Sequence, residues 1–391
     1  MQRERRDLGL LAGGSLVSVA GDSAAMIALL LELRSHGVGW VSAALGAELL
    51  PFVLFASFSG RIVDRVDNRR LLVMGLAGQA AVAVPLAFAR SPWLVVALFF
   101  ALNAVATLVR PASSAMVPVL AGEDNATKGF TWIATGVGIG WIVGPAAGGL
   151  LTSASGVTAT LLVDAGTFLV TAAACGLLSA TRKPDGTTDE EENQHGGLRI
   201  IRSDTVLFLS VATTSIAVAC AVVDNVAAPF RFVEQLATSS TGYGAYLALW
   251  GVGGIIGSQL PRRLNGSTLP AALAIGNGLS GLGIVGIGLA PSLGLALGAS
   301  ALGGFGNGIS NVAEAALLAA RVKTEQRGRV YASAAALIQT GIGVGTVAGA
   351  PLVAALGAGH AMISAGGLAA LLSGVTLIWT MSRNGGAEGA R

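Results

Sequence analysis

A chain of 391 residues with 53% hydrophobic side chains, only 12% charged ones and a mean hydropathy of +0.71 carries more apolar surface than a water-soluble globule can cover. The net charge of +3 comes from Lys and Arg in short segments between apolar runs, which argues against nucleic-acid binding, and the two cysteines, Cys175 and Cys220, both inside apolar runs, indicate neither a disulfide framework nor a metal site. What remains is a polytopic helical membrane protein, because most apolar stretches reach the roughly 20 residues that cross a hydrocarbon core of about 30 Å.

The first predicted span, 8–33, follows MQRERRD; it is too long for a signal-peptide core, lacks a clean cleavage site and contains Asp22. The second, 38–59, contains Glu48 and leads into GRIVDRVDNRR, Gly60 to Arg70, where six charges fall within eleven residues between two apolar runs. A dense basic patch so placed marks a cytoplasmic turn. Spans at 71–90, 93–120, 129–153 and 156–180 complete a first set of six, with Arg110 inside the fourth and Asp164 inside the sixth. The segment TRKPDGTTDEEENQHGGLRIIRSD then reads as a flexible cytoplasmic linker, because it is polar and has no periodic apolar residues. A second set follows at 205–229, 242–261, 268–290, 292–320, 330–356 and 358–382, the ninth and tenth spans separated only by a turn around Pro291. The predicted fold is therefore an all-α membrane protein with 12 transmembrane helices, divided into a bundle over 1–180, a linker over 181–204 and a bundle over 205–391.

Orientation follows from the bases. With the N-terminus inside, 20 of the 24 Lys and Arg residues fall in inner segments and three, Arg34, Arg90 and Arg231, in outer loops. Both termini are thus expected in the cytoplasm. The halves also repeat: glycines at 136, 138, 140 and 144 in GVGIGWIVGP recur at 341, 343, 345 and 349 in GIGVGTVAGAP, a constant offset of 205. A parallel repeat of six-helix bundles suits a transporter that rocks two halves about a central site.

GRIVDRVDNRR resembles the signature G-x-L-x-D-R-x-x-x-R-R of the major facilitator superfamily, with Gly60, Ile62, Asp64, Arg65, Arg69 and Arg70 in register and Asp67-Asn68 in place of the usual second glycine. D-R-x-D-x-R-R-L-L is similar to the branch of siderophore and macrolide exporters. The resemblance implies that Asp64 sits near the start of span 11 and that the bases contact neighbouring helices, forming a latch that breaks when the cytoplasmic side opens. In span 5, GWIVGPAAGG resembles the motif of the family's antiporters and supplies Gly140, Gly144, Pro145, Gly148 and Gly149, although Thr131 stands where the longer pattern has a glycine. RPASSAMVP from Arg110, VDAGTF from Val163 and RGRV from Arg327 resemble further motifs of the branch, in the correct order, and extend the likeness along nearly the whole chain.

Ionisable residues inside spans are costly and mark candidate functional positions. Counted at 1.5 Å per residue from the cytoplasmic ends, Asp22 lies about 21 Å up, Glu48 about 16 Å and Arg110 about 15 Å, so the three can share one layer. The family resemblance places Asp22 and Arg110 on cavity helices and Glu48 on a flanking gate helix. Exchange between a dry environment and one beside a guanidinium is a way for such a carboxylate to take up and release a proton. The alternatives are a structural role for Asp22 at a Gly21 bend and a static ion pair between Glu48 and Arg110. Asp164, on a span peripheral in the family fold, is assigned to bonding between helices. Asp224 is expected near the outer surface and Glu314 near the inner one, both within reach of water. Asp224 with Asn225, and Asn307 with Asn311 and Glu314, suit either substrate contact or bonding between helices.

No phosphate-cradling G-x-x-x-x-G-K-[ST] occurs, and His36, His195 and His360 lie far apart in loops, so neither an ATP-driven pump nor an enzyme site is expected. The expectation is a proton-coupled exporter of small, largely apolar compounds in the plasma membrane, acting as a monomer. Its partners would be a small-molecule substrate, protons and the lipid bilayer, with no nucleic acid, cofactor or metal. The alternatives are an importer or facilitator on the same fold and a non-transporting sensor or scaffold.

Overall fold

Inside a bilayer an apolar segment satisfies its backbone either within itself as a helix or in a closed barrel, and this chain takes the first route throughout. The computed structural model describes residues 2–122, 126–180, 194–261, 264, 268–323 and 326–388, and none of these residues is in a strand. The helices are α1 (Gln2–Arg34), α2 (Val38–Leu54), α3 (Ala56–Arg65), α4 (Asn68–Phe88), α5 (Pro92–Ala121) and α6 (Ala126–Gly176). There follow α7 (Gln194–Ser203), α8 (Thr205–Phe230), which ends in a π-turn to Gln235, α9 (Ser240–Gly257), α10 (Leu269–Leu289), α11 (Leu293–Arg321), α12 (Arg327–Leu356) and α13 (Ala358–Glu388).

Eight of the described helices are long and apolar enough to cross a membrane, and one of them, Lys128–Gly176, is two spans end to end. The junction is Gly156, at φ 80 and ψ 173, a conformation that glycine adopts without a Cβ clash. The pair α2 and α3 with α9 and α11 supply the remaining spans, giving twelve among the described residues. α11 is less apolar because it carries Asn307, Asn311 and Glu314.

Two predicted loops are corrected. GRIVDRVDNRR is mostly helical: α3 runs to Arg65 and α4 starts at Asn68, with only Val66 and Asp67 between them. The turn is this tight because Asp67 caps α4, accepting from the Arg70 amide at 3.0 Å, while the Asn68 side chain, turned to suit its neighbours, donates to Val63 O at 2.8 Å. The predicted linker also holds a helix, α7, whose side at Leu198 and Ile201 turns inward; Ile201 is fully buried in a cluster with Leu207, Leu318 and Val330. The remainder, 181–193, lies outside the described residues.

The chain forms two compact units, Met1–Thr188 with Ser239–Ala248, and Asp189–Thr238 with Leu249–Arg391. In the first, α1 lies along both arms of α6, α4 packs on α5 and α6, and α2 packs on α5. In the second, α10 packs on α11 and α13, α8 packs on α12 and α13, and α7 rests on α12.

Candidate functional site

Glycine spacing sets how the site-bearing helices meet. On the first arm of α6, a Cβ at Gly140 would stand 2.9 Å from Leu16 O, one at Gly144 2.6 Å from Ala20 O and one at Gly148 2.5 Å from the Ala24 Cα, so α1 and α6 touch backbone to backbone. Gly149 makes the same kind of approach to Ser240, whose hydroxyl donates to Gly149 O at 3.0 Å, and Pro145 lies within the continuous helix. The repeat partners behave alike: Gly341 and Gly345 in α12 meet Ser215 O and Ala219 O of α8.

The second arm of α6 approaches α1 from another side. Thr171 donates to Gly14 O at 3.1 Å, and at Gly21 a Cβ would overlap both Thr167 Oγ1 and Asp164 Oδ1. α1 is continuous through Gly21, so that glycine serves close approach and not a bend. Asp164, assigned from sequence to bonding between helices, instead takes its side-chain hydrogen bond from Thr167 of its own helix, at 3.3 Å, and faces a cavity.

That cavity, about 40 Å³, lies within the first unit and is lined by Asp22 and Met26 of α1, Glu48 of α2, Gln79 of α4, Asn103 and Arg110 of α5 and Asp164 of α6. It has room for a few waters and none for a drug-sized molecule, since one water needs roughly 10–15 Å³ measured this way. Asp22 and Glu48 are half-buried and Asp164 is 2% exposed. Arg110 lays its guanidinium over the Phe52 ring, 4.3 Å from the centroid, and among the described residues no ion pair within 4.0 Å joins it to a carboxylate. The layer inferred from counting residues therefore exists as one cavity, and the static Glu48–Arg110 pair is not formed. Sequence reasoning missed Gln79 and Asn103, at 3% and 5% exposure, because it searched the spans for charge and passed over neutral amides.

Near the α3–α4 turn, Arg69 donates through Nη2 to Gly176 O, and Arg6 donates to Leu177 O at 3.3 Å, so two guanidiniums hold the carbonyls at the end of α6. Gly60 has open space where a Cβ would stand, so crowding does not explain it. Arg65 and Arg70 are exposed, and the Asp64 side chain lies outside the described residues.

In the second unit Asp224 is 3% and Glu314 9% exposed, so neither is solvated as depth had suggested. The polar sets divide by burial. Asn225 is exposed behind buried Asp224, while Asn311, exposed, donates to Asn307 at 3.0 Å one turn from buried Glu314 on the same side of α11. Bonds between helices come from other residues: Asn277 donates to Thr214 at 3.0 Å, and Thr213 pairs with Thr376 at 2.9 Å.

A family model described as Major Facilitator Superfamily matches residues 11–332. The chain is 22% identical over 402 residues to an uncharacterized MFS-type transporter, YfiS, of Bacillus subtilis (strain 168), covering 96% of this chain and 94% of that protein. It is 27% identical over 296 residues to the multidrug efflux pump Tap of Mycobacterium tuberculosis (strain ATCC 25618 / H37Rv), covering 68% and 69%. Among solved structures, the nucleoside transporter NupG superposes with a TM-score of 0.75 at 11% identity, covering 97% of this chain and 99% of that one, a likeness of fold alone.

Proposed function

The chain belongs to the Major Facilitator Superfamily and is a multi-pass membrane transporter, and from that premise we propose that it exports small, largely apolar compounds in exchange for protons by alternating access. The observation that carries the coupling is the cavity in which Asp22, Glu48 and Asp164 face a single guanidinium with no ion pair formed. Carboxylates held in place but uncommitted to a partner can change protonation when water reaches them from one side only. The direction, outward, rests on the resemblance of GWIVGPAAGG to antiporter motifs and on the efflux pump among the relatives.

The roles follow the helices. Asp22 on α1 carries the proton, and Glu48 and Arg110 tune it. Gly140, Gly144, Pro145, Gly148 and Gly149 keep α6 fixed to its neighbours, so that the first unit moves as one body. Gly60, Asp64, Arg65, Arg69 and Arg70 form the cytoplasmic gate. Asp224, Asn225, Asn307 and Asn311 offer polar contacts to substrate. Both termini face the cytoplasm of the plasma membrane, in keeping with the distribution of Lys and Arg.

The test is accumulation of a panel of apolar drugs and metabolites in inverted membrane vesicles, with and without an imposed proton gradient. The proposal expects gradient-dependent accumulation of at least one compound. Accumulation indifferent to the gradient would assign the protein to facilitators.

A further inference from the structure

The first-unit cavity holds more negative groups than its one cation can balance. Three carboxylates, Asp22, Glu48 and Asp164, line it with Arg110. Position decides which of them the guanidinium serves. Arg110 stacks on Phe52, which stands four residues after Glu48 on α2, and its charge reaches Glu48 and Asp22 but not Asp164. Asp164 is left beside Asp22 on the α1–α6 side with no cation of its own. Gly21 is what brings them there: Asp164 Oδ1 would come within 2.5 Å of a Cβ at that position, next in sequence to Asp22, and the two charges are close enough to interact. Two ionised carboxylates so placed in a water-poor site repel each other, and one proton between them removes the repulsion.

A neutral group marks the same spot. Gln79 is 3% exposed and lines the cavity, and among the described residues its side chain has no hydrogen-bond partner. An amide that lines a cavity with no protein partner ordinarily faces a water or ligand. Thr167 occupies Oδ1 of Asp164 at 3.3 Å, which leaves Oδ2 for the cavity.

We infer that Asp164 and Asp22 form one proton-binding pair, bridged by cavity water that the Gln79 amide orders. On uptake a hydronium gives its proton to a carboxylate oxygen of the pair, forming one O–H bond and leaving water; on release the proton returns to water. Asp164 is thus a second proton site beside Asp22, and the inference rests on the reading of Asp22 as the coupling acid. The other charged groups that face the pair are Glu48 from α2 and Arg110 from α5, while α4 contributes only the neutral Gln79.

The experiment is an infrared titration of the purified protein, read in the stretch of the protonated carboxyl group, for the native chain and for Asp22→Asn, Asp164→Asn, Asp164→Glu and Gln79→Leu. It needs no substrate, so it stands apart from the exporter reading. A pair gives two separated steps in the native protein. Each single Asn variant is expected to replace them with one step between the two, displaced by more than about 1 pH unit, and Asp164→Glu to restore two. Gln79→Leu is expected to move the steps without removing either. Loss of one step in Asp164→Asn with the other unmoved overturns the pair, as does an unchanged titration, whatever happens to transport. If Asp164→Asn does not fold, Asp22→Asn decides: a remaining step that keeps its native pH overturns the pair. Steps that merge as expected while gradient-driven transport is untouched keep the pair and remove the proton-coupled reading.

Discussion

Asp204 shows what a single side chain does at a helix start. Its carboxylate accepts from the amides of Val206 at 2.8 Å and Leu207 at 3.3 Å and pairs with Arg321 at 2.9 Å. Partial burial pushes its pKa up, but the Arg321 hydrogen bond and the α8 amides outweigh that and hold it below the ordinary carboxylate value. A carboxyl depressed in the folded state stabilises the fold above its unfolded value of about 3.9, and the contribution is lost as pH falls through the folded value. Asp204→Asn is therefore expected to melt lower than the native chain at pH 7, with the gap closing as pH drops below about 4. Thermal unfolding in detergent across pH checks this; a gap that persists in acid contradicts it. Within the membrane, Asp22, Glu48 and Arg110 were legible because a charge in an apolar run stands out. Gln79 was not, since a neutral amide does not. Asp164 was visible but misplaced, because its proximity to Asp22 depends on a glycine in another helix.

Among the helices, the arrangement is governed by which glycines are crowded. Gly144 and Gly138 share a motif and a helix, yet a Cβ at Gly144 would meet Ala20 O at 2.6 Å and one at Gly138 would meet nothing within 4 Å. Gly144→Ala should force α6 off α1 and destabilise the first unit by about 1–3 kcal/mol, whereas Gly138→Ala should be neutral or stabilise by up to about 1 kcal/mol. Chemical unfolding of both variants reads the difference, and equal effects would show that backbone approach does not fix the pair. Asp67→Ala should cost about 1 kcal/mol by uncapping α4, in the same assay. The span positions and the 205-residue repeat were readable, because hydropathy and glycine spacing are properties of the chain itself. The tight turn at Asp67 and the helix at Gln194–Ser203 were not, since both depend on contacts: an Asn68 amide closing α3 and a buried Ile201 holding α7.

For the whole molecule, the family and the all-helical multi-pass fold are established, and the proposed reading has the energy of transport enter through carboxylates in the first unit. Helix ends support such a unit as a solid body: Arg6 and Arg69 hold the end of α6, and in the second unit Arg327 donates to Ala319 O at 2.7 Å at the end of α11. A compact unit that carries its proton site inside does not need substrate and proton to meet. Asp22→Asn should then abolish accumulation driven by a proton gradient while leaving exchange of substrate for substrate close to the native rate. The direct measurement uses reconstituted vesicles loaded with a compound the native protein accumulates, comparing gradient-driven uptake with exchange at equal pH for the native chain and Asp22→Asn. The account predicts that uptake is lost and exchange kept. Gradient-driven uptake by Asp22→Asn with an unchanged pH dependence would contradict it and send the search for the proton site to Glu48 or Asp224.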